Sequence, residues 1–139
     1  TKINVIGRWE EQFPDSLKKI IYEALSKTKN YKKKILNFML AYSGIDEMTQ
    51  TIQNIHDLYK KGVKITPEII KKNLMTAQIP LVDYVIRTGG EPHLSSGFMM
   101  WDVADSQLYF TETLWPDFNK KELEVALGNF AKTERRLGA

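Results

Sequence analysis

Short apolar runs of strand length alternate with segments of helical periodicity along most of this chain. The first run, residues 3–6, ends at Gly7, and the second, residues 35–42, is almost continuously apolar. A continuous apolar run is typical of a central strand that is covered on both faces. Strands that alternate with helices predict an α/β fold, an open and mostly parallel sheet with helices on both faces.

Two further strands are predicted at residues 81–87 and 108–111. Helices are predicted from Pro14-Asp15, from Met48 to Tyr59, from Thr66-Pro67 and from Asn119, each by apolar spacing or by a capping residue. The residues expected to form the buried helix faces are Leu17, Ile20, Ile21, Ala24, Leu25, Met48, Ile52, Ile55, Tyr59, Leu123, Ala126, Leu127 and Phe130. Residues 1–139 are expected to form a single domain, and the strand at the very start suggests that it is part of a larger fold.

Composition excludes several classes of protein. The chain has no cysteine, which rules out disulfides, cysteine-based zinc sites and thiol catalysis. No apolar run approaches the roughly 20 residues of a membrane span, and the first residues lack the apolar segment of a signal peptide, so a cytoplasmic protein is expected. The net charge of +3 is a mild excess, and the three lysines at residues 32–34 are best explained as a solvated turn. We therefore expect no binding to nucleic acid.

A candidate anion-binding site follows the third predicted strand. Ligands of open α/β sheets bind at the carboxyl ends of the strands. Arg87 stands at such an end, Gly89-Gly90 let the backbone come close to a ligand, and Ser95 offers a hydroxyl. Together these residues describe a site for phosphate or diphosphate. The alternative is an ordinary Thr-Gly-Gly turn beside a surface arginine.

Several sequence blocks around this site resemble one enzyme family. The blocks are Asp83-Tyr84-Val85-Ile86-Arg87-Thr88-Gly89-Gly90-Glu91, Leu94-Ser95, Trp101, Leu108-Tyr109-Phe110-Thr111 and Leu114-Trp115-Pro116-Asp117-Phe118. In this order they resemble the signature of the cis-prenyltransferases, the family of the undecaprenyl diphosphate synthases. Residues 41–44 and the Arg136-Leu137-Gly138 triplet are similar to two more family motifs, so the resemblance covers nearly the whole chain.

The resemblance implies a reaction and a set of ligands. Such enzymes add isopentenyl diphosphate to an allylic prenyl diphosphate, each new double bond being cis, and Mg²⁺ assists departure of the allylic diphosphate. By resemblance, Arg87, His93 and Ser95 would hold the diphosphate of isopentenyl diphosphate, and Asn37 would position the substrate. The growing product would lie in an apolar tunnel walled in part by residues 35–42, and would then be delivered to a membrane.

The resemblance also implies a dimer. Arg136 and Gly138 would reach across the interface and help to bind diphosphate in the partner's site. The partner would be a second copy of the same protein or a homologous subunit, and the protein would lie in the cytoplasm or peripherally at a membrane.

The sequence departs from the family pattern in three places. The Asp-Gly-Asn-Arg-Arg-Trp type motif, whose aspartate helps to place Mg²⁺, is absent from these residues, so this chain alone is expected to be inactive. His93 stands in place of a second arginine, and Gln107 in place of an acidic Mg²⁺ ligand. Asp105 would share a strand face with Gln107 and is a second, weak metal candidate. These changes favour the alternative of a non-catalytic partner subunit, whereas the intact residues 87–91 favour the enzyme.

Overall fold

The structure is a computed structural model that describes residues 1–133. The chain divides into two compact units, one made of Thr1–Ile79 with Ser96–Met100, the other of Pro80–Ser95 with the chain from Trp101 onward. Each unit contains one pair of parallel strands. The predicted parallel α/β class is confirmed, and the predicted strands form two pairs. The single domain expected over residues 1–139 stays a prediction.

The first unit is built on a strand, helix, strand order. Its elements are β1 (Lys2–Ile6), α1 (Trp9–Gln12), α2 (Asp15–Thr28), β2 (Ile35–Met39), α3 (Gly44–Lys60) and α4 (Pro67–Asn73). Helix α2 packs against β1, and the Ile3 N–H donates to Thr28 Oγ1 at 3.0 Å. The chain can therefore return to place β2 parallel to β1, with Asn4 opposite Asn37.

The second unit has a different order, because no helix lies between its two strands and its long helix follows them. Its elements are β3 (Tyr84–Arg87), β4 (Gln107–Phe110), a 3-10 turn (Trp115–Asp117) and α5 (Lys120–Lys132). Tyr84 ties α5 to β3, because its O–H donates to the Ala126 carbonyl at 2.8 Å and its ring lies 4.8 Å from that of Phe130. In the strand pair, Arg87 lies opposite Phe110. The carboxyl ends of β3 and β4 thus lie side by side.

The helix starts predicted from capping residues are confirmed. Thr66 Oγ1 accepts from the Ile69 N–H, and Asn119 Oδ1 accepts from the N–H groups of Lys121 and Glu122. These bonds satisfy amide groups that have no partner within the first helical turn.

The prediction that residues 35–42 form a strand buried on both faces is wrong. Strand β2 ends at Met39, and its side chains Ile35, Leu36 and Phe38 are exposed. The backbone turns away at Ala41, whose φ of 49° is left-handed and whose carbonyl accepts from the Arg8 N–H. The apolar sequence of β2 therefore shows that the strand is hydrophobic, and does not show that its faces are covered.

The predicted helix faces are only partly buried. Of the apolar residues expected inside, Ile21 and Ala126 are buried, whereas Ile20, Ile52 and Tyr59 are exposed. Helical spacing shows that one face is apolar, but burial of that face requires a neighbouring element to cover it. Within residues 1–133, none of the helices combines the length and the hydrophobicity that a membrane crossing requires.

Candidate functional site

Arg87 is the last residue of β3 and carries the charge of the candidate site. Its guanidinium Nη2 donates to Glu91 Oε2 in an ion pair. The Arg87 side chain is only 13% exposed, whereas that of Glu91 is 60% exposed. A cation enclosed by the protein therefore meets a carboxylate that remains accessible to solvent.

His93 approaches the same carboxylate. Its Nε2 lies 3.7 Å from Glu91 Oε2, and its backbone N–H donates to the Glu91 carbonyl at 2.9 Å. The imidazole distance is too long for a direct hydrogen bond, so attraction requires the protonated, charged ring. The structure thus brings together two of the predicted ligand-binding side chains, Arg87 and His93, around one anionic oxygen.

The two glycines form a turn whose amide groups are already used. Gly89 and Gly90 have φ values of 90° and 73°, a conformation that glycine adopts without strain. Their N–H groups donate to the carbonyls of Thr113 and Thr111, at 2.9 and 3.0 Å. Their binding of diphosphate stays a prediction, but these bonds turn the amides toward residues 111–113.

The remaining predicted ligand residues lie elsewhere or are not described. Ser95 is exposed in the loop that follows His93. Asn37 belongs to the first unit, where its Oδ1 accepts from Asn4 Nδ2 at 2.9 Å. Arg136 and Gly138 lie outside the described residues. Their roles stay predictions.

The two weak metal candidates lie at the start of β4 and in the turn before it, and metal binding by them stays a prediction. Gln107 opens β4 opposite Tyr84, at the other end of the strand pair from Arg87, and its buried Oε1 has no hydrogen-bond partner among the described residues. Asp105 is exposed and lies in a turn before β4, so the expectation of a shared strand face is wrong. Between residues 1 and 133 no group of three or more His, Cys, Asp or Glu side chains could hold a metal ion.

Tyr84 stabilises β3, the strand that carries the candidate site. Burial raises the pKa of its phenol above the ordinary value, and the neighbouring Tyr109 adds to that rise. The phenol therefore stays neutral at physiological pH and keeps donating to the Ala126 carbonyl. This bond holds α5 against the strand that carries Arg87.

A groove that the sequence did not predict lies on the other side of β3. It has a volume of about 470 Å³ and is lined by Ile86, Thr88, Trp115, Phe118, Asn119, Lys120 and Leu123. The Trp115 and Phe118 rings are stacked, with centroids 6.3 Å apart and planes 10° apart. Because side chains alternate along a strand, Ile86 of β3 faces away from Arg87. The groove and the anion site therefore open on opposite faces.

Two acidic residues at the site were also missed. Sequence reasoning placed Glu91 inside a family block without a role and did not consider Glu112. A Cβ on Gly90 would lie 2.3 Å from Glu112 Oε2, so this glycine lets a second carboxylate approach the loop. The sequence did contain a signal for Glu91. An acidic residue four positions after an arginine can pair with that arginine when the chain between them forms a tight turn.

Comparison with known proteins gives one consistent answer. The family model of undecaprenyl diphosphate synthase matches residues 1–138. The chain is 38% identical over 142 residues to an isoprenyl transferase of Chlorobaculum tepidum, a match that covers 99% of this chain and 52% of that protein. It is 38% identical over 140 residues to the ditrans,polycis-undecaprenyl-diphosphate synthase ((2E,6E)-farnesyl-diphosphate specific) of Photorhabdus laumondii, covering 98% of this chain and 53% of that protein. The chain thus spans about half the length of the curated relatives it matches.

A solved structure has the same fold. The crystal structure of lavandulyl diphosphate synthase from Lavandula x intermedia, in complex with dimethylallyl diphosphate, matches with a TM-score of 0.90 and 26% identity. The match covers 99% of this chain and 60% of that one. This likeness confirms the fold predicted from the sequence.

Proposed function

Because this chain belongs to the undecaprenyl diphosphate synthase family of prenyltransferases, we propose that its protein condenses isopentenyl diphosphate with an allylic prenyl diphosphate. Repeated condensation would make a polyprenyl diphosphate with cis double bonds. One observation carries the assignment of the site: Arg87 and His93 converge on one carboxylate oxygen at the end of β3. Since an anionic oxygen is already held there, the position suits an oxygen of a diphosphate.

Arg87 supplies the main attraction in this proposal. A guanidinium can donate two parallel N–H groups to a phosphate, which fixes the orientation of the ligand as well as its position. Enclosure of the Arg87 side chain strengthens that attraction, because little water remains to screen the charge. His93 adds a second positive charge when protonated, and Ser95 adds a hydroxyl from the same loop. These residues bind and orient isopentenyl diphosphate, so that its alkene can attack the allylic carbon.

Mg²⁺ belongs to the proposal through the family and not through a metal site in residues 1–133. The described residues fit the ion poorly, since they contain no cluster of three or more ligating side chains. Gln107 offers one buried neutral oxygen, and Asp105 lies outside the strand. A hard cation prefers several oxygen ligands with negative charge among them. We therefore assign no step to a metal held by these residues.

The remaining parts of the proposal concern the whole protein. Activity, both substrates and the partner are proposed for the longer protein, because this chain matches only about half of its relatives. We propose that this chain alone is inactive, and that the protein is a dimer of identical or homologous subunits. The cytoplasm, with peripheral contact to the membrane that receives the product, is the proposed location.

A second candidate is a non-catalytic subunit that supports a homologous catalytic chain. His93 and Gln107 favour it, because each replaces a charged residue that the family resemblance leads one to expect. The Arg87 site favours the enzyme, since a subunit without substrate has no need to retain an enclosed cation at a strand end.

The test is incorporation of labelled isopentenyl diphosphate into lipid with an allylic primer and Mg²⁺. This chain, the full-length protein and its Arg87→Ala variant are compared, with Arg8→Ala as control because Arg8 also pairs with a carboxylate, that of Asp46. Loss of a charge-assisted contact should lower kcat/KM about 100-fold for Arg87→Ala, chiefly through KM for isopentenyl diphosphate. Arg8→Ala should retain wild-type activity.

Two results would contradict the enzyme. Unchanged activity in Arg87→Ala would show that the diphosphate binds elsewhere. A full-length protein that is inactive alone, and active only after addition of a homologous chain, would establish the supporting subunit instead.

A further inference from the structure

Glu91 occupies the position at which the diphosphate would bind. Its Oε2 accepts from Arg87 Nη2 and lies 3.7 Å from His93 Nε2. Among the described residues these are the only side chains that the Glu91 carboxylate contacts through a hydrogen bond or ion pair. A carboxylate oxygen and a phosphate oxygen accept from the same guanidinium N–H groups, so both cannot use them at once.

From this geometry we propose that Glu91 is a built-in competitor of the diphosphate. It neutralises Arg87 in the ligand-free protein, and it must leave before a diphosphate oxygen can take its place. The inference rests on the proposed function, because it takes Arg87 as the residue that binds the diphosphate.

The two partners differ in their freedom to move. Arg87 lies on a strand and its side chain is 13% exposed, whereas Glu91 lies in a loop and its side chain is 60% exposed. The Glu91 carboxylate can therefore swing into water at little cost, while the guanidinium stays in place. Loss of the ion pair with Glu91 would be unfavourable for the partly desolvated guanidinium, so a ligand anion that replaces Glu91 restores this attraction.

A built-in competitor weakens the binding of every anion by the same factor. If only a fraction of the molecules has Glu91 displaced, the apparent Kd equals the intrinsic Kd divided by that fraction. An ion pair in which one partner is accessible to solvent should hold Glu91 against Arg87 in most molecules. It should still leave a measurable fraction of molecules with Glu91 displaced. Removal of the Glu91 charge should therefore tighten anion binding about threefold to tenfold.

The experiment measures Kd by calorimetry in the full-length protein without Mg²⁺. The probes are inorganic pyrophosphate and inorganic phosphate, and the variants are Glu91→Gln, Arg87→Ala and Glu23→Gln. Glu23 is the matched control, because its side chain is 58% exposed and it also pairs with a cation four residues away. Glu91→Gln should tighten both probes by one common factor of about three to ten, Arg87→Ala should weaken both, and Glu23→Gln should leave both unchanged.

The outcomes separate this inference from the proposed function. If the wild type binds pyrophosphate through Arg87, but Glu91→Gln binds it equally or more weakly, only the inference fails. If the gain is clearly larger for pyrophosphate than for phosphate, Glu91 acts by simple repulsion and displacement is wrong. If the wild type does not bind pyrophosphate, or Arg87→Ala binds it as well, the proposed function fails and the inference fails with it.

Discussion

Glu47 in the first unit and Glu91 in the second use the same carboxylate group in opposite ways. Glu47 is fully buried, and it accepts from the Tyr42 O–H at 2.6 Å and from the Thr76 N–H at 2.9 Å. Glu91 is 60% exposed and faces the guanidinium of Arg87. The first carboxylate is held by two neutral donors, whereas the second is held by a cation that can bind other anions.

The difference separates a structural acid from an exchangeable one. Thr76 is fully buried, so its N–H loses its acceptor if Glu47 moves. Water can replace Glu91, because its carboxylate already faces solvent. Burial together with the number of fixed donors, and not charge alone, indicates which acid a ligand can displace.

The sharpest test of this comparison is removal of each carboxylate. Glu47→Ala should lower the free energy of unfolding by about 3 to 5 kcal/mol, because it leaves a cavity and removes the acceptor of the buried Thr76 N–H. Glu91→Ala should lower it by less than about 1 kcal/mol, the range of an accessible ion pair. Urea unfolding followed by circular dichroism measures both. Equal losses in the free energy of unfolding would mean that Glu47 and Glu91 contribute to stability in the same way.

Two glycines give the next largest contrast. Gly7 (φ 120°) and Gly90 (φ 73°) both adopt conformations that are unfavourable for other residues. A Cβ on Gly7 would lie 2.2 Å from the Leu40 carbonyl oxygen, which belongs to the backbone, whereas a Cβ on Gly90 would meet the end of the Glu112 side chain. Gly7→Ala should therefore cost about 3 kcal/mol and Gly90→Ala about 1 to 2 kcal/mol.

Gly62→Ala provides the control for this pair. Gly62 also has a positive φ, of 81°, but a Cβ there would meet nothing within 4 Å. Its cost of about 1 kcal/mol measures backbone conformation alone. If Gly7→Ala cost no more than Gly62→Ala, the contact with the Leu40 carbonyl would carry no energy.

Local features of this fold were predictable from sequence. Helix starts at Thr66 and Asn119 depend on bonds within one turn, and alternating periodicity indicates the order of strands and helices. Arg87 was placed correctly at the end of a strand, because the block around it combines a strand pattern with a turn. Such features depend on residues that are close along the chain.

Burial and partner choice were not predictable in the same way. The apolar residues Ile20, Ile35 and Ile52 are exposed, since coverage depends on which other elements are present. The pairing of Arg87 with Glu91 depends on the path of the loop, which the two glycine conformations determine. A shared face of Asp105 and Gln107 required a strand that reached residue 105, whereas β4 begins at Gln107. Each error concerns a contact in space that residue spacing does not encode.

The smallest contrast concerns two tyrosine hydroxyls, one in each unit. Tyr42 donates to the buried Glu47 carboxylate at 2.6 Å, whereas Tyr84 donates to the Ala126 carbonyl at 2.8 Å. A hydrogen bond to a charged group contributes about 1.5 to 3 kcal/mol and one between neutral groups about 0.5 to 1.5 kcal/mol. Tyr42→Phe should therefore destabilise the protein more than Tyr84→Phe, by about 1 kcal/mol in urea unfolding. If Tyr84→Phe cost as much, the Glu47 carboxylate would not strengthen its hydrogen bond, and burial alone would distinguish Glu47 from Glu91.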